Sequence, residues 1–318
     1  MPPDTIQTRI DRHAHLEGSL SQTWVKGRVA AMQMSIPEPL EAFWRGEALP
    51  FPTFIDSFLF VADLINSAEA VRQAVNAAME RLPEAGEAPA GIDMWCSPLF
   101  LVAERHLLPL DELWKGIEQG ISDAKAKGVS IGIILDAVNH FGPQNGHALL
   151  DLVGNDLPSF VVGFSTGGLE GVPFREWAPV FDRARGLGLR CAAHAGENGP
   201  ATNIVEAVKE AQVTRIVHAV RAAAHPEIME FLAERGIPVD VCITSNLALV
   251  PELASHPLKT MMEAGVRCAL GTDDPGIIKT DLGNEWRRAE ALLQGDVRHL
   301  ERLLQNSIKD AWCLCEGN

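Results

Sequence analysis

Short apolar runs alternate with amphipathic segments along most of this chain. Residues 9–16 (RIDRHAHL), 91–100 (GIDMWCSPLF), 129–138 (VSIGIILDAV) and 159–167 (SFVVGFSTG) each read as a strand. So do 189–197 (LRCAAHAGE), 214–220 (TRIVHAV), 237–246 (IPVDVCITSN) and 266–275 (VRCALGTDDP). Most are apolar throughout instead of alternating, as strands of a parallel sheet covered on both faces must be. Helical spacing marks the segments between them: 67–82 with Ser67 as N-cap, then 110–128, 146–153, 172–188, 202–212, 226–236 and the stretch around 256–265. Residues 284–315 close the chain as helices.

Eight strands alternating with helices in 318 residues predict a (β/α)8 TIM barrel. No linker or low-complexity segment interrupts it, so one domain over residues 1–318 is the economical reading. Residues 17–90 are too many for a simple crossover, and predict a helical elaboration between strands 1 and 2 that covers the C-terminal mouth. Within residues 52–65 of that region Phe54, Phe58, Val61 and Ile65 recur at helical spacing. Such a stripe serves equally as core or as an apolar wall over a ligand.

Composition narrows the function classes. A hydrophobic content of 47% and a charged content of 22% are those of a soluble globular protein. The net charge of −15 argues against nucleic acid or an anionic membrane as partner. No run approaches eighteen apolar residues and the start MPPDTIQTRID has no apolar leader core, so a reduced cytoplasm is expected. Of the six cysteines, Cys96, Cys191, Cys242 and Cys268 sit in apolar runs as small hydrophobes, Cys313 and Cys315 have no partner pair elsewhere, and no C-x-x-C occurs.

The chemistry gathers where the strands end, the functional face of a TIM barrel. Strand one ends in His13-Ala14-His15, whose spacing puts both imidazoles on one side. Strand five ends in His194-Ala195-Gly196-Glu197, a potential metal ligand beside a potential general acid, separated by two small residues that permit a sharp turn. Strand six ends in His218 and strand eight in Asp273-Asp274-Pro275. Each has an ordinary alternative, a buried hydrogen-bonded histidine or a turn, but their joint placement at strand ends does not. Three histidines and an aspartate suit Zn²⁺ with a position left for water.

The segments His13-Ala14-His15-Leu16-Glu17-Gly18, His194-Ala195-Gly196-Glu197, His218, Thr244-Ser245-Asn246 and Thr272-Asp273-Asp274-Pro275 resemble the ordered motifs of the adenosine deaminase family, from residue 10 to about 285. The resemblance implies one Zn²⁺ per chain on His13, His15, His194 and Asp273. It implies that Glu197 protonates purine N1, that His218 and Asp273 orient and activate the attacking water, and that Asp274 bonds N7. It also implies that Gly168 contacts N3. Zinc lowers the pKa of water toward about 7, and protonation at N1 makes C6 electrophilic. The combined H-x-E and P-C-x-x-C signature of cytidine-type deaminases is not met, since no C-x-x-C occurs.

The resemblance loosens in three places. Val217-His218-Ala219 lacks the glycines that usually flank that histidine. Glu17 stands where many adenosine-specific members carry aspartate, and so looks more like the branches acting on adenine, N6-methyl-AMP or aminodeoxyfutalosine. The segment from Gly163 to Glu170, with Gly199-Pro200 after Glu197, leans toward the aminodeoxyfutalosine branch. Glu17, Gly168, Asp274, Phe54 and Phe58 are thus the expected substrate contacts. His140 is placed to touch the distal part of a substrate, and His106, His225, His256 and His299 read as surface or structural. The expected partner is a small purine. The alternatives are a binuclear amidohydrolase, which strand four does not favour because it ends without lysine, and an inactive barrel serving as a binding module, which predicts an eroded ligand set.

Overall fold

The computed structural model describes residues 9–83 and 89–315; residues 1–8, where the missing leader core was read, lie outside them. Eight parallel strands form a single series: β1 (Arg9–His15), β2 (Ala90–Cys96), β3 (Val129–Val138), β4 (Val161–Gly167), β5 (Arg190–Ala195), β6 (Arg215–His218), β7 (Pro238–Val241) and β8 (Arg267–Leu270). Each is hydrogen-bonded to the next in chain order, with helices around them, so the fold is a (β/α)8 barrel.

Closure between β8 and β1 is made just beyond β8. The N–H groups of Thr272 and Asp273 both donate to the His13 carbonyl at 2.9 and 2.8 Å, and His15 N–H donates to the Asp273 carbonyl at 2.7 Å. The Asp11 carboxylate accepts from Thr272 N–H at 3.1 Å and Thr272 Oγ1 at 2.6 Å, fastening the same seam. These bonds set Asp273 beside the two histidines of β1. The β1–β2 ladder passes from Asp11–Ile92 to Ala14–Met94, a bulge that lets the consecutive Arg12 and His13 both reach interior partners on β2. Arg12 faces Asp93, and the His13 ring lies 4.1 Å from that of Trp95.

The elaboration between β1 and β2 is helical, as expected: Gln22–Ala31, Glu38–Arg45, Phe51–Ala62 and Ala68–Met79. Ser67 does cap the last of these, its Oγ accepting from Ala70 N–H. Only Phe51–Ala62 among the four lines the mouth. Ala68–Met79 packs instead on the outer helix Leu110–Ala126, where side chains at Gly116 and Gly120 would collide with Val71 and Val75. No described helix is long and apolar enough to cross a membrane.

Three expected strands are shorter than the apolar pattern suggested. β2 ends at Cys96 and gives way to a π-helical turn, Leu99–Glu104. β7 stops at Val241, and Ile243–Leu249 is a helix. That helix forms because the buried Glu285 carboxylate accepts Thr244 N–H at 3.1 Å, satisfying an orphan donor from a distance no local pattern reveals. β8 ends at Leu270 because the next residues leave the ladder to close the barrel on β1, and Pro275 then starts the short helix Pro275–Ile278. The closing helices are Leu282–Leu292 and Val297–Lys309; residues 310–315 are not helical.

Candidate active site

Polar side chains converge at the C-terminal ends of β1, β5 and β6 and in the segment after β8. His194 Nδ1 donates to the Thr166 carbonyl at 2.9 Å, which leaves its Nε2 bare and directed at His13 Nε2, 3.3 Å away. Burial lowers the pKa of His13 well below the usual value, with His194 adding to the shift, and burial also lowers that of His194. Asp273 Oδ1 lies 3.4 Å from His13 Nε2 and 3.5 Å from His15 Nε2, while its Oδ2 accepts from Ser245 Oγ at 2.5 Å.

Four ligands about 2.1 Å from a zinc-sized ion in a tetrahedron lie roughly 3.4 Å from one another. The separations of 3.3, 3.4 and 3.5 Å are those edges. A cation would also relieve two facing imidazole nitrogens and an adjoining carboxylate, so the donor set fits a divalent metal. Candidate ligand atoms of His13, His15 and Asp273 lie within 4.8 Å of one another, as do those of His13, His194 and His218. Cys242 forms a third such group with His218 and Asp273, but burial raises its thiol well above the usual range and disfavours the thiolate a metal needs.

Glu197 and His218 face the cluster from one side. The Glu197 carboxyl is pushed well above the usual carboxylate range by burial, then by Asp273 and Glu170. His218 Nε2 lies 3.7 Å from Glu197 Oε1, and Asn246 Nδ2 contacts both residues, at 3.4 Å from Glu197 Oε1 and 3.1 Å from His218 Nδ1. His218, Ala219 and Asp273 all have left-handed backbones, with φ of +70°, +51° and +66°. Ala219 is where the family resemblance has glycine, and its Cβ costs about 1 kcal/mol in that conformation.

Above the cluster lies a cavity of about 430 Å³. His15, His194, Glu197, His218, Asp273, Asp274 and Gly168 line its floor and side, and Phe51, Phe54, Ile55, Phe58, Phe100 and Phe141 form an apolar wall. Phe58 meets the edge of the His15 ring at 6.0 Å. Val61 is fully buried and is not a lining residue, so the predicted stripe divides between wall and core. His140 reaches the mouth, its Nδ1 accepting from Leu169 N–H at 3.2 Å. Asp274 lines the cavity with Gly18 behind it, where any Cβ would overlap Asp274 Oδ1. Glu17 sits one layer back: its carboxylate accepts from Ser97 N–H at 2.8 Å, is pushed up to about 7 by burial, and is not a lining group.

The family profile described as adenosine deaminase matches residues 8–317. The chain belongs to the adenosine deaminase family. An aminodeoxyfutalosine deaminase from Streptomyces avermitilis is 32% identical over 326 residues, covering 97% of this chain and 87% of that protein. An adenine deaminase from Chelativorans sp. is 30% identical over 312 residues, covering 96% and 93%. An amidohydrolase from Burkholderia ambifaria, crystallised with bound Zn, has the same fold, with a TM-score of 0.80 at 20% identity over 96% of this chain and 86% of that one. As a member of the adenosine deaminase family, the chain is a hydrolytic deaminase acting on purines.

Four side chains that the fold brings to the site, Asp136, Glu170, Ser245 and Asn246, carry no role in the expectations from sequence. Asp136, on β3, is buried against the cavity with Oδ1 unpartnered, and burial together with Glu17 raises its pKa well above the usual range. A carboxylate near the end of an apolar strand, in Leu135-Asp136-Ala137, was the available signal. Glu170 accepts from the N–H groups of Gly196 and Glu197 at 2.8 Å and of Asn198 and Gly199 at 3.1 Å, and from Asn203 Nδ2 at 3.0 Å. Ser245 and Asn246, quoted only as part of a motif, hold Asp273, Glu197 and His218.

Proposed function

We propose that this deaminase is zinc-dependent and acts on an adenosine-type nucleoside, with 6-aminodeoxyfutalosine ahead of adenosine. The observation that carries the reading is the opposition, across one cavity, of a buried carboxyl group whose pKa burial raises and a metal-competent His/Asp cluster. Zn²⁺ held by His13, His15, His194 and Asp273 supplies a Lewis acid that lowers the pKa of water toward about 7. Glu197 donates its proton to purine N1 as C6 becomes tetrahedral, so the ring's aromatic resistance to attack is overcome where the charge develops. Asp273 activates the attacking water and His218 orients it, Asp274 holds N7, and the Gly168 backbone lies along N3. The 6-amino group leaves as ammonia and a 6-oxopurine remains.

The cavity of about 430 Å³ and its aromatic wall support a nucleoside over a bare base. The Streptomyces relative supports the aminodeoxyfutalosine branch. Free adenine is the second reading, supported by the Chelativorans relative. The test supplies aminodeoxyfutalosine, adenosine, adenine and N6-methyl-AMP in parallel to zinc-loaded protein and follows loss of the adenine absorbance band. Efficient turnover of a nucleoside is expected. Turnover of adenine alone would assign the other branch, and no turnover of any would overturn the substrate class.

A further inference from the structure

His256 read in the sequence as surface or structural, yet it is 3% exposed and only two side chains removed from the candidate chemistry. Its Nδ1 accepts the backbone N–H of Leu258 at 3.1 Å. A neutral imidazole with Nδ1 accepting must carry its proton on Nε2. That Nε2 lies 3.2 Å from Asn246 Oδ1. The contact therefore orients the Asn246 amide, which can place only its oxygen toward His256 and its nitrogen the other way. Asn246, itself fully buried, turns that nitrogen to His218 Nδ1 at 3.1 Å and toward Glu197 Oε1 at 3.4 Å. An amide N–H can only donate, so His218 Nδ1 accepts and the proton of the neutral ring resides on Nε2, the nitrogen on the Glu197 side.

We propose that His256 and Asn246 are positioning residues that fix the tautomer of His218 and the rotamer of Glu197, with direction set by the Leu258 N–H. The relay delivers a defined N–H from His218 into the cavity and holds the carboxyl of Glu197 beside it. Burial pushes the His256 imidazole down to about 3, so it stays neutral, in one tautomer, across the range in which an enzyme works. All three side chains come from separate places in the chain: Asn246 from the helix after β7, His256 from the loop beyond it, and His218 from the end of β6. Replacement of His256 by an apolar residue would leave Asn246 Oδ1 without its donor and the amide free to invert. An inverted amide presents oxygen to His218 and drives its proton onto Nδ1.

This inference rests on the proposed deaminase reading for its kinetic consequence, but not for its structural one, so two measurements separate them. The first is the tautomer of His218 in the wild-type, zinc-loaded protein, read from long-range ¹⁵N–¹H spectra of the imidazoles. Protonation on Nε2 is expected, and protonation on Nδ1 would overturn the relay whether or not any purine is turned over. The second compares His256→Leu with His256→Gln, whose amide N–H can still donate to Asn246. His256→Leu should lower kcat about 10-fold or more with KM nearly unchanged and mix the His218 tautomers, while His256→Gln restores most of both. Wild-type kcat and a single His218 tautomer in a folded His256→Leu would overturn the proposal, as would failure of His256→Gln to recover any activity while folding normally.

Discussion

Glu170 and Glu197 illustrate how differently a carboxyl group can serve one loop. Glu170 gathers four backbone N–H groups and one side-chain amide from residues 196–203, so the turn that carries Glu197 is built around it. Charge-assisted bonds of this kind contribute roughly 1.5–3 kcal/mol each when intact, and an amide keeps one accepting oxygen but turns an NH2 group toward the donors that the other oxygen served. Glu170→Gln should therefore lower stability by about 2 kcal/mol or more and lower kcat through misplacement of Glu197, both read from urea unfolding and steady-state kinetics. Glu197→Gln is expected to behave oppositely. Burial raises the pKa of its carboxyl, which favours the protonated form, and an amide is a near-isostere of that form, so fold and metal content stay while turnover falls at least about 10²-fold. The sign of the pH effect follows. Because the folded pKa of Glu197 lies above its ordinary 4.5, the native state holds the extra proton, and stability declines as pH rises from there toward the folded pKa. In Glu197→Gln that portion of the decline should vanish; an unchanged stability–pH curve would show that Glu197 is ionised in the resting protein.

At the scale of elements, the apolar runs and the residues that end them made the barrel legible, because parallel strands must be apolar and barrel chemistry must sit at their ends. His13, His15, His194, His218 and Asp273 were readable for that reason, and the fold does bring them together. What stayed hidden depended on distant partners. The helix Ile243–Leu249 reads as a continuation of β7 in the sequence, because the Glu285 carboxylate that takes its Thr244 N–H lies some forty residues on. Glu17 reads as a substrate contact by its place in the motif, and the Ser97 N–H that its carboxyl group accepts belongs to a cavity-lining residue no local pattern pairs with it. The Phe51–Ala62 helix divides its stripe because Phe54 and Phe58 look into the mouth and Val61 into the core, a distinction that spacing alone does not contain. Its far end is tied across the mouth by the ion pair of Asp63 with Arg105, beyond the β2 strand. Phe58→Ala opens this wall and should raise KM for a nucleoside about 10-fold, the worth of one buried aromatic contact, with a smaller change in kcat. A loss confined to kcat would place Phe58 in the chemistry and not in the wall.

The whole molecule separates reaction from anchorage along the barrel axis. Opposite the mouth, Arg12, Asp93, Arg215 and Asp240 form a fully buried, charge-balanced square: Arg215 lies 2.8 Å from Asp93 and 3.3 Å from Asp240, and Arg12 lies 3.0 Å from Asp240. The segment after the last helix closes it from below. Trp312 and Cys313 donate their N–H groups to Asp93 at 3.0 and 2.6 Å, and the Arg215 guanidinium lies 3.9 Å from the Trp312 ring centroid. Above the square, Trp95, Ile134, Ala192 and Val217 pack as an apolar layer, and above them stand His13 and His194. The layer separates the two polar clusters by packing, although the Arg215 charge still helps to lower the pKa of His13 across it. Arg215→Met removes one cation and leaves Asp93 and Asp240 buried with half their compensation, which should cost about 3–5 kcal/mol. Adding Asp240→Leu restores the balance of charge and should recover part of that loss, a coupling that independent sites would not show. In both variants the folded fraction should keep wild-type kcat, because no group of the square reaches the cavity. A drop in kcat without a shift of the unfolding midpoint would mean that the two ends of the barrel are coupled, through the Arg215 charge on His13 or through Trp95, on which the His13 ring rests.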